Sequence, residues 1–555
     1  MIMRYLVVPL ALLFALLALT ACGDAEAPAS AATPSKPVLE LLFTYGSEKK
    51  DWIDGAVQAY NARQETIPDG RTIRVQAIAM GSGECLDEIV NGSRKPHLVS
   101  PASAAFITLG NASAQAATGK PLVASTESLV LSPVVIAMWK PMAERLGWPQ
   151  RAIGWSDILK LASDPQGWAS AGEPVWGRFR FGHTHPEYSN SGLMSLLAEI
   201  HAASGKTGAL SSDDVHAPAV QSFVSGIEGS VVHYGSSTGF FADRMFSGGM
   251  GAFSAAVMYE SNVVDAANRG LTTPVVAIYP KEGTFWSDHP IGIVEREWVT
   301  PAHRDAAKRF IRFLLDRPQQ EAALRLGFRP GAPDVAVGAP LDAAHGCDPA
   351  QPSTTLSVPS AAVLNDALAM WRSAKKPAHV TLVLDLSGSM NDEGKIDGAK
   401  AAAKTFINAL DQRDECSLLV FNTTPTWAAR RLSIATGRAT LLATVDKLFA
   451  GGGTALYDAV LEAQKDFADS TGDRIAALIV LSDGEDTESK AKLDDVLASA
   501  TGGVERGGTR IFTVAYGSGA KKDVLKRIAE VSRGKLFSGD AASIHAVFRD
   551  ISTFF

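Results

Sequence analysis

The sequence predicts a multi-domain α/β protein, and three observations carry that reading. The chain of 555 residues is too long for one core, since domains run to roughly 100–200 residues, which implies two to four folded units. Apolar strand-like runs alternate with stretches of helical period, the alternation expected of α/β layering. The alternation breaks once, at the Pro/Ser/Thr-rich stretch GCDPAQPSTTLSVP (346–359), and then resumes to the C-terminus. Such a break reads as a linker between two α/β units.

Composition narrows the function classes. Hydrophobic residues make up 46% and charged residues 20%, which excludes a disordered chain. The formal charge is -7, with no basic block of the kind that binds nucleic acid by counterion release. Four cysteines exclude a disulfide-built scaffold and a cysteine-rich zinc cluster.

The first segment is an address. Arg4 precedes the apolar run 6–18, which leads into Leu19-Thr20-Ala21-Cys22. A positive start, an apolar middle and small residues before a cut describe a secretory signal, here residues 1–21. The four residues Leu19-Thr20-Ala21-Cys22 resemble the lipobox of bacterial lipoproteins, which implies lipidation at Cys22 and anchoring in a membrane. Residues 22–37, rich in Ala, Ser and Pro, then read as a flexible tether. No later apolar run approaches the ~20 residues needed to cross a bilayer. The expectation is an exported lipoprotein of the cell membrane or outer membrane, facing periplasm or exterior. Beyond Cys22 remain Cys85, Cys347 and Cys416. A Cys85–Cys347 bridge and three free buried thiols are both open, because sequence does not fix connectivity.

The first α/β unit spans 38–345. The run 39–44 is strand-like, 52–63 places Trp52, Ile53, Val57 and Tyr60 at helical spacing, and 72–79 is again a strand. Gly81-Ser82-Gly83 then opens a helix, and Ser189-Asn190-Ser191-Gly192 opens a longer apolar one over 193–203. Unpaired backbone N–H groups at helix starts, with hydroxyls beside them, suit an anion or polar solute. Plain N-capping by serine is the alternative for both.

Several stretches carry a family resemblance. LLFTYGS (41–47), MGSGECLDEIVNGSRKPHLVSPAS (80–103), LSPVVIAMW (131–139) and the ending at Gly327-Phe328-Arg329-Pro330 resemble type II periplasmic binding proteins of ABC importers. The resemblance implies two lobes with a solute cleft between them, faced by Ser82, Gly83, Ser189 and Ser191. Glu260, after an apolar strand ending in Tyr259, is expected to touch the cleft from the other lobe. Two short motifs are read blandly. His183-x-His185-x-Glu187 offers zinc-type ligands but lacks an assignable fourth and reads as loop packing. Gly235-Ser236-Ser237-Thr238-Gly239 matches a nucleophile-elbow string, yet nothing singles out its acid and base partners.

A connector, 346–377, includes a helical stretch over 360–373, and the second unit, 378–555, follows. Its strand 379–384 runs straight into Asp385-Leu386-Ser387-Gly388-Ser389. Gly451-Gly452-Gly453-Thr454 precedes a helix, and the strand 475–481 ends in Ser482-Asp483-Gly484. Carboxylates and hydroxyls at the carboxyl ends of parallel strands sit where open sheets bind ligands, and they are hard ligands suited to Mg²⁺. Together the three pieces resemble the metal-ion-dependent adhesion site of von Willebrand factor A-type domains, which are doubly wound and mostly parallel.

That resemblance implies Ser387, Ser389 and Thr454 as ligands of Mg²⁺ (or Mn²⁺ or Ca²⁺), with Asp385 and Asp483 acting largely through water. An ion held by neutral hydroxyls keeps an open position for a carboxylate of a protein partner. The alternative is a metal-free domain whose loops only cap helices. The acidic run Glu485, Asp486 and Glu488 reads as a solvated loop. With no G-x-x-x-x-G-K-[ST] loop and no H-E-x-x-H run, a binding protein is expected, not an enzyme. Its partners would be a carboxylate-bearing protein, the membrane through the lipid, and a small solute delivered to an ABC permease.

Overall fold

The computed structural model describes residues 37–555 apart from 470–473, 507–508, 518, 533, 542, 553 and 555. The leader 1–21, Cys22 and the tether up to residue 36 lie outside the described residues.

The nine-residue strand Val38–Gly46 pairs in parallel along its whole length with Thr72–Met80. The sheet is completed in the order Thr72–Met80, Val38–Gly46, Leu98–Ser100, Pro290–Val294, Val123–Ser128, and Pro290–Val294 runs antiparallel to its neighbours. Helices Lys50–Ala62 and Pro301–Leu315 bury Trp52, Ile53, Tyr60, Phe310 and Phe313 against it. Tyr60 meets Phe310 edge to face at 5.0 Å. This is the first lobe.

A second sheet is built around Val130–Trp139, which pairs with Ala255–Tyr259 and Val275–Ile278. Phe181–Thr184 and Val231–Gly235 extend it. The chain crosses between the lobes at Ser128–Val130 and again between Ser287 and Pro290, and Arg329–Pro330 returns to pair with the start of the long strand. These crossings form the hinge of a two-lobed domain.

The third sheet runs Pro425–Ser433, Glu415–Phe421, Ala378–Asp385, Ile475–Ser482, Arg510–Tyr516, Leu536–Gly539, with only the first strand antiparallel. Every residue of Ala378–Asp385 and of Ile475–Ser482 is buried, as a parallel sheet covered on both faces requires. Alternation sorts the faces: Val380, Leu382 and Leu384 join Phe406 on one side, and Val383 joins Leu456 and Val460 on the other. This is the doubly wound domain the sequence predicts.

The connector is ordered, and the stretch whose composition suggests a linker is laid onto the second lobe. Ala277 N–H donates to Gly346 O at 2.8 Å, and Leu356 N–H donates to Thr284 O at 2.9 Å. The connector helix Ala361–Ala374, capped by Ser360, then presents Val363, Leu364, Ala367, Leu368, Met370 and Trp371 as one buried stripe. Trp371 packs edge-on against His185 at 4.6 Å and Tyr234 at 5.4 Å, and Arg372 Nε donates to Glu187 at 2.6 Å. Arg413 Nη1 of the third sheet's domain donates to Ser373 O at 2.6 Å, and Phe554 stacks on His233 of the second lobe at 4.8 Å.

Arg413 precedes strand Glu415–Phe421 and Phe554 packs on Phe512 and Phe537, so both contacts of this domain come from the amino-terminal ends of its parallel strands. The carboxyl ends, with Asp385 and Asp483, lie at the opposite edge, about 25 Å away for a strand of this length.

Among the described residues Cys85, Cys347 and Cys416 are free and buried, so the Cys85–Cys347 bridge does not form. Cys85 sits in the first lobe's helix Ser82–Val90, whereas Cys347 lies against Glu260 O at 4.0 Å.

Because Trp371 is almost fully buried where the connector helix packs on the second lobe, Trp371→Ala removes the largest side chain of that contact. The expected loss is about 3–5 kcal/mol. Urea unfolding should show it, with the two domains unfolding in separate transitions where the wild type unfolds in one.

Candidate metal centre and interlobe cleft

Asp385 ends its strand fully buried, and both of its oxygens are engaged: Oδ1 accepts from Ser387 N–H at 2.8 Å and Oδ2 from the Ser482 hydroxyl at 2.6 Å. These bonds turn the 387–389 loop upward and bring Ser387 Oγ to 3.1 Å from Ser389 Oγ. Ser389 Oγ in turn donates to Asp483 Oδ1 at 2.8 Å. Thr454 approaches from the glycine loop. Gly451 N–H donates to Leu386 O at 2.7 Å and Gly388 N–H to Gly452 O at 3.0 Å, with Gly452 in the left-handed region at φ +93. A side-chain carbon at Gly484 would lie 3.8 Å from Thr454 Oγ1 and 3.9 Å from Ser389 Oγ, so both hydroxyls flank this glycine.

The structure thus brings Asp385, Ser387, Ser389, Thr454 and Asp483 to one edge of the sheet. Three hydroxyls and two carboxylates form an all-oxygen set that fits a hard divalent cation.

Two neighbours escaped sequence reasoning. Ser482 orients Asp385, and Lys395 Nζ donates to Asp483 Oδ2 at 2.7 Å. The ammonium, 12% exposed, brings a positive charge to the place where a cation's charge would fall. Of the acidic run, Asp486 Oδ1 accepts from Tyr457 N–H at 3.2 Å at the start of helix Leu456–Gln464, and Glu485 pairs with Lys521 at 2.9 Å.

The two helix starts expected to face a cleft do meet between the lobes, but they meet each other's loops. Gly83 N–H donates to Tyr188 O at 2.8 Å, and a side-chain carbon at Gly83 would fall 2.1 Å from Glu187 O. The helix begins at Ser82, and its hydroxyl accepts from Ala102 N–H at 2.9 Å. Ser189 makes no side-chain cap; its hydroxyl bonds Thr238 Oγ1 at 3.3 Å. Ser191 Oγ bonds Thr184 Oγ1 at 2.8 Å and Thr238 Oγ1 at 2.9 Å. Glu260 departs from expectation: it is fully buried and bidentate with Arg329 at 2.8 Å, which commits it to the hinge rather than to the cleft.

His183, His185 and Glu187 also diverge, since Glu187 pairs with Arg372 and His185 packs on Trp371. The G-x-S-x-G string does occupy a strand–turn–helix, yet Ser237 Oγ accepts from Ser47 Oγ of the opposite lobe at 2.8 Å.

A cavity of 140 Å³ persists between the lobes, lined by Glu48, Lys50, Asp51, Asp243, Asp265 and Arg269 among others. Behind it lies a buried trio not singled out from sequence, in which Lys49 Nζ bonds Glu48 at 2.6 Å and His289 Nδ1 at 3.2 Å. Burial pushes the Glu48 carboxyl up, but Lys49 and His289 outweigh it and hold the carboxyl down at about 2. A local signal for the trio exists: consecutive charges directly follow an apolar strand at its carboxyl end.

Fold and site together define a two-lobed binding protein followed by a doubly wound domain with an oxygen-lined edge. The family model described as bacterial extracellular solute-binding protein matches residues 41–329, and that of the von Willebrand factor type A domain matches 379–549. The chain belongs to the bacterial extracellular solute-binding proteins and carries a von Willebrand factor type A domain after the solute-binding domain.

An uncharacterized protein of Mycobacterium tuberculosis (strain ATCC 25618 / H37Rv) is 24% identical over 402 residues, covering 67% of this chain and 54% of its own. One from Synechocystis sp. (strain ATCC 27184 / PCC 6803 / Kazusa) is 27% identical over 164 residues, covering 29% of this chain and 37% of its own. The chain thus spans about half or less of these relatives. Among solved structures, a periplasmic thiamin binding protein aligns at 15% identity and a TM-score of 0.45, over 62% of this chain and 97% of its own.

Two predictions arise at this oxygen-lined edge. Burial raises the Asp385 carboxyl above its ordinary value, with Asp483 adding to the effect against the hydrogen bonds from Ser482 and Ser387. In metal-free protein, ionising Asp385 therefore costs stability as pH rises from about 3.9, the unfolded value, through the raised folded one. Mg²⁺-induced thermal stabilisation should grow over that same interval and vanish in Asp385→Ala. Separately, Lys395→Gln removes a like charge worth on the order of 1–3 kcal/mol to a bound cation. Calorimetric titration should find Mg²⁺ binding tightened about 5- to 150-fold.

Proposed function

We propose that this protein is an exported, lipid-anchored binding protein of the cell envelope. Its von Willebrand factor A-type domain holds Mg²⁺ and captures a carboxylate of a protein partner. Ser387, Ser389 and Thr454 would supply hydroxyl ligands, and Asp385 and Asp483 would hold the ion's water. A bound Mg²⁺ supplies a positive, coordinatively open centre that an acidic side chain completes. The observation that supports this reading is the convergence of these five side chains at the sheet edge that faces away from the solute-binding domain. A partner reaches that edge without disturbing either lobe. Cys22 would fix the chain to a membrane through lipid.

In this reading the solute-binding domain serves mainly as a scaffold. Its cleft hydroxyls satisfy one another and its two lobes touch at Gly83. A second reading, delivery of solute to an ABC permease, draws on the interlobe cavity. Its lining of carboxylates with Lys50 and Arg269 suits a small polar solute better than a bare anion.

Affinity capture from solubilised envelope, run with Mg²⁺ and with EDTA, separates the two. Adhesion expects a protein retained in Mg²⁺, released by EDTA and lost in Asp385→Ala. Recovery of permease subunits equally under both conditions would replace it with the importer reading.

A further inference from the structure

The interior of the second lobe holds a group of polar side chains that neither the cleft nor the metal edge uses. His183 on strand Phe181–Thr184, Glu199 in the middle of helix Asn190–Ser204 and Glu228 at the end of helix Pro218–Glu228 converge there, each fully buried. One ligand atom from each lies within 4.8 Å of the others.

Each side chain is oriented from behind by a separate partner. His183 Nδ1 lies 2.7 Å from Thr184 O, and a carbonyl accepts only, so Nδ1 carries a proton and the ring turns its Nε2 inward. The Tyr234 hydroxyl donates to Glu228 Oε2 at 2.6 Å, leaving Oε1 at 3.0 Å from His183 Nε2. The Ser195 hydroxyl donates to Glu199 Oε1 at 2.9 Å, and Glu199 Oε2 is buried with no hydrogen-bond partner. A buried carboxylate oxygen without a donor is costly, and His183 Nε2 facing a carboxylate oxygen at hydrogen-bond distance takes either a proton or a cation between them.

We propose that His183, Glu199 and Glu228 form a three-ligand site for a divalent transition ion of the zinc class, distinct from the Mg²⁺ edge of the following domain. The ligand set is one imidazole and two carboxylates, common zinc ligands. The charge balances: two carboxylates and a neutral imidazole carry two negative charges, which one divalent cation cancels inside an apolar core. The supports match those around such ions, where the imidazole gives its other N–H to a carbonyl and the carboxylates are held by hydrogen bonds. An ion here would pin one strand and two helices behind the cleft loop and would be acquired as the lobe folds.

The test uses the full chain carrying Asp385→Ala, so that the Mg²⁺ edge does not contribute. After chelation, incubation with Zn²⁺ and gel filtration, elemental analysis should find one equivalent of zinc. His183→Gln and Glu199→Gln should lose it, and Tyr234→Phe should weaken zinc binding about 10–100-fold, as loss of an outer-shell partner does. Because these core variants can unfold, Co²⁺ is also added to the Asp385→Ala chain alone. An intense visible absorption band from low-coordinate Co²⁺ supports the site. Failure to retain zinc with no such band, or zinc retention unchanged in His183→Gln and Glu199→Gln, overturns it and leaves protons as the neutralising charges.

Discussion

Arg329 enters the hinge with its guanidinium paired to both oxygens of Glu260, and the same side chain donates to Pro349 O at 3.1 Å and Gln351 O at 2.7 Å. Tyr279 completes the set by donating to Glu260. Removing one partner of such a buried pair costs about 3–5 kcal/mol, because the other charge is stranded. The pair governs the placement of every later element of the chain. It fixes the last strand of the solute-binding domain to the second lobe and holds the first turn of the connector by its carbonyls. The connector helix is thereby delivered against the second lobe, and through Arg413 the A-type domain is seated on its end.

The same economy of contact appears between the lobes. Glycine at 81 and 83 lets two backbones approach where any side chain would collide with Tyr188 O or Glu187 O. The hydroxyls of Ser47, Ser189, Ser191, Ser237 and Thr238 then bond one another across and along the seam. A cleft sealed this way opens only by exchanging these bonds for bonds to water or solute. That exchange is close to neutral for each hydrogen bond, so closure is set by the fit of the lobes rather than by any one residue.

Both folds and the convergence of oxygen side chains at the sheet edge are legible in the sequence for one reason: each depends on short motifs at strand ends, where pattern and position coincide. Asp385, Ser387 and Ser389 sit within five residues of one another after an apolar run, and a reader needs no long-range pairing to see them. The hidden features depend on partners far apart in the chain. Lys395 meets Asp483 across 88 positions, Arg329 meets Glu260 across 69, and His183 meets Glu228 across 45. The connector's composition suggests a loose segment because it reports only turn propensity, whereas its order comes from Arg329 and from backbone bonds to Ala277 and Thr284. Position after a strand points Glu260 toward the cleft, and its counter-ion, later in the chain, draws it to the hinge instead.

Because the oxygen-lined edge and the connector lie at opposite ends of the same parallel strands, a pull applied at that edge would run along the strand axis. The ladders joining Ala378–Asp385 to Glu415–Phe421 on one side and Ile475–Ser482 on the other would then be strained in shear, with all their hydrogen bonds sharing the tension at once. A sheet peeled from its side surrenders its bonds one by one. The A-type domain is thus mounted in the direction in which it resists extension best, and tension leaving its lower end passes into the Trp371 contact and the second lobe.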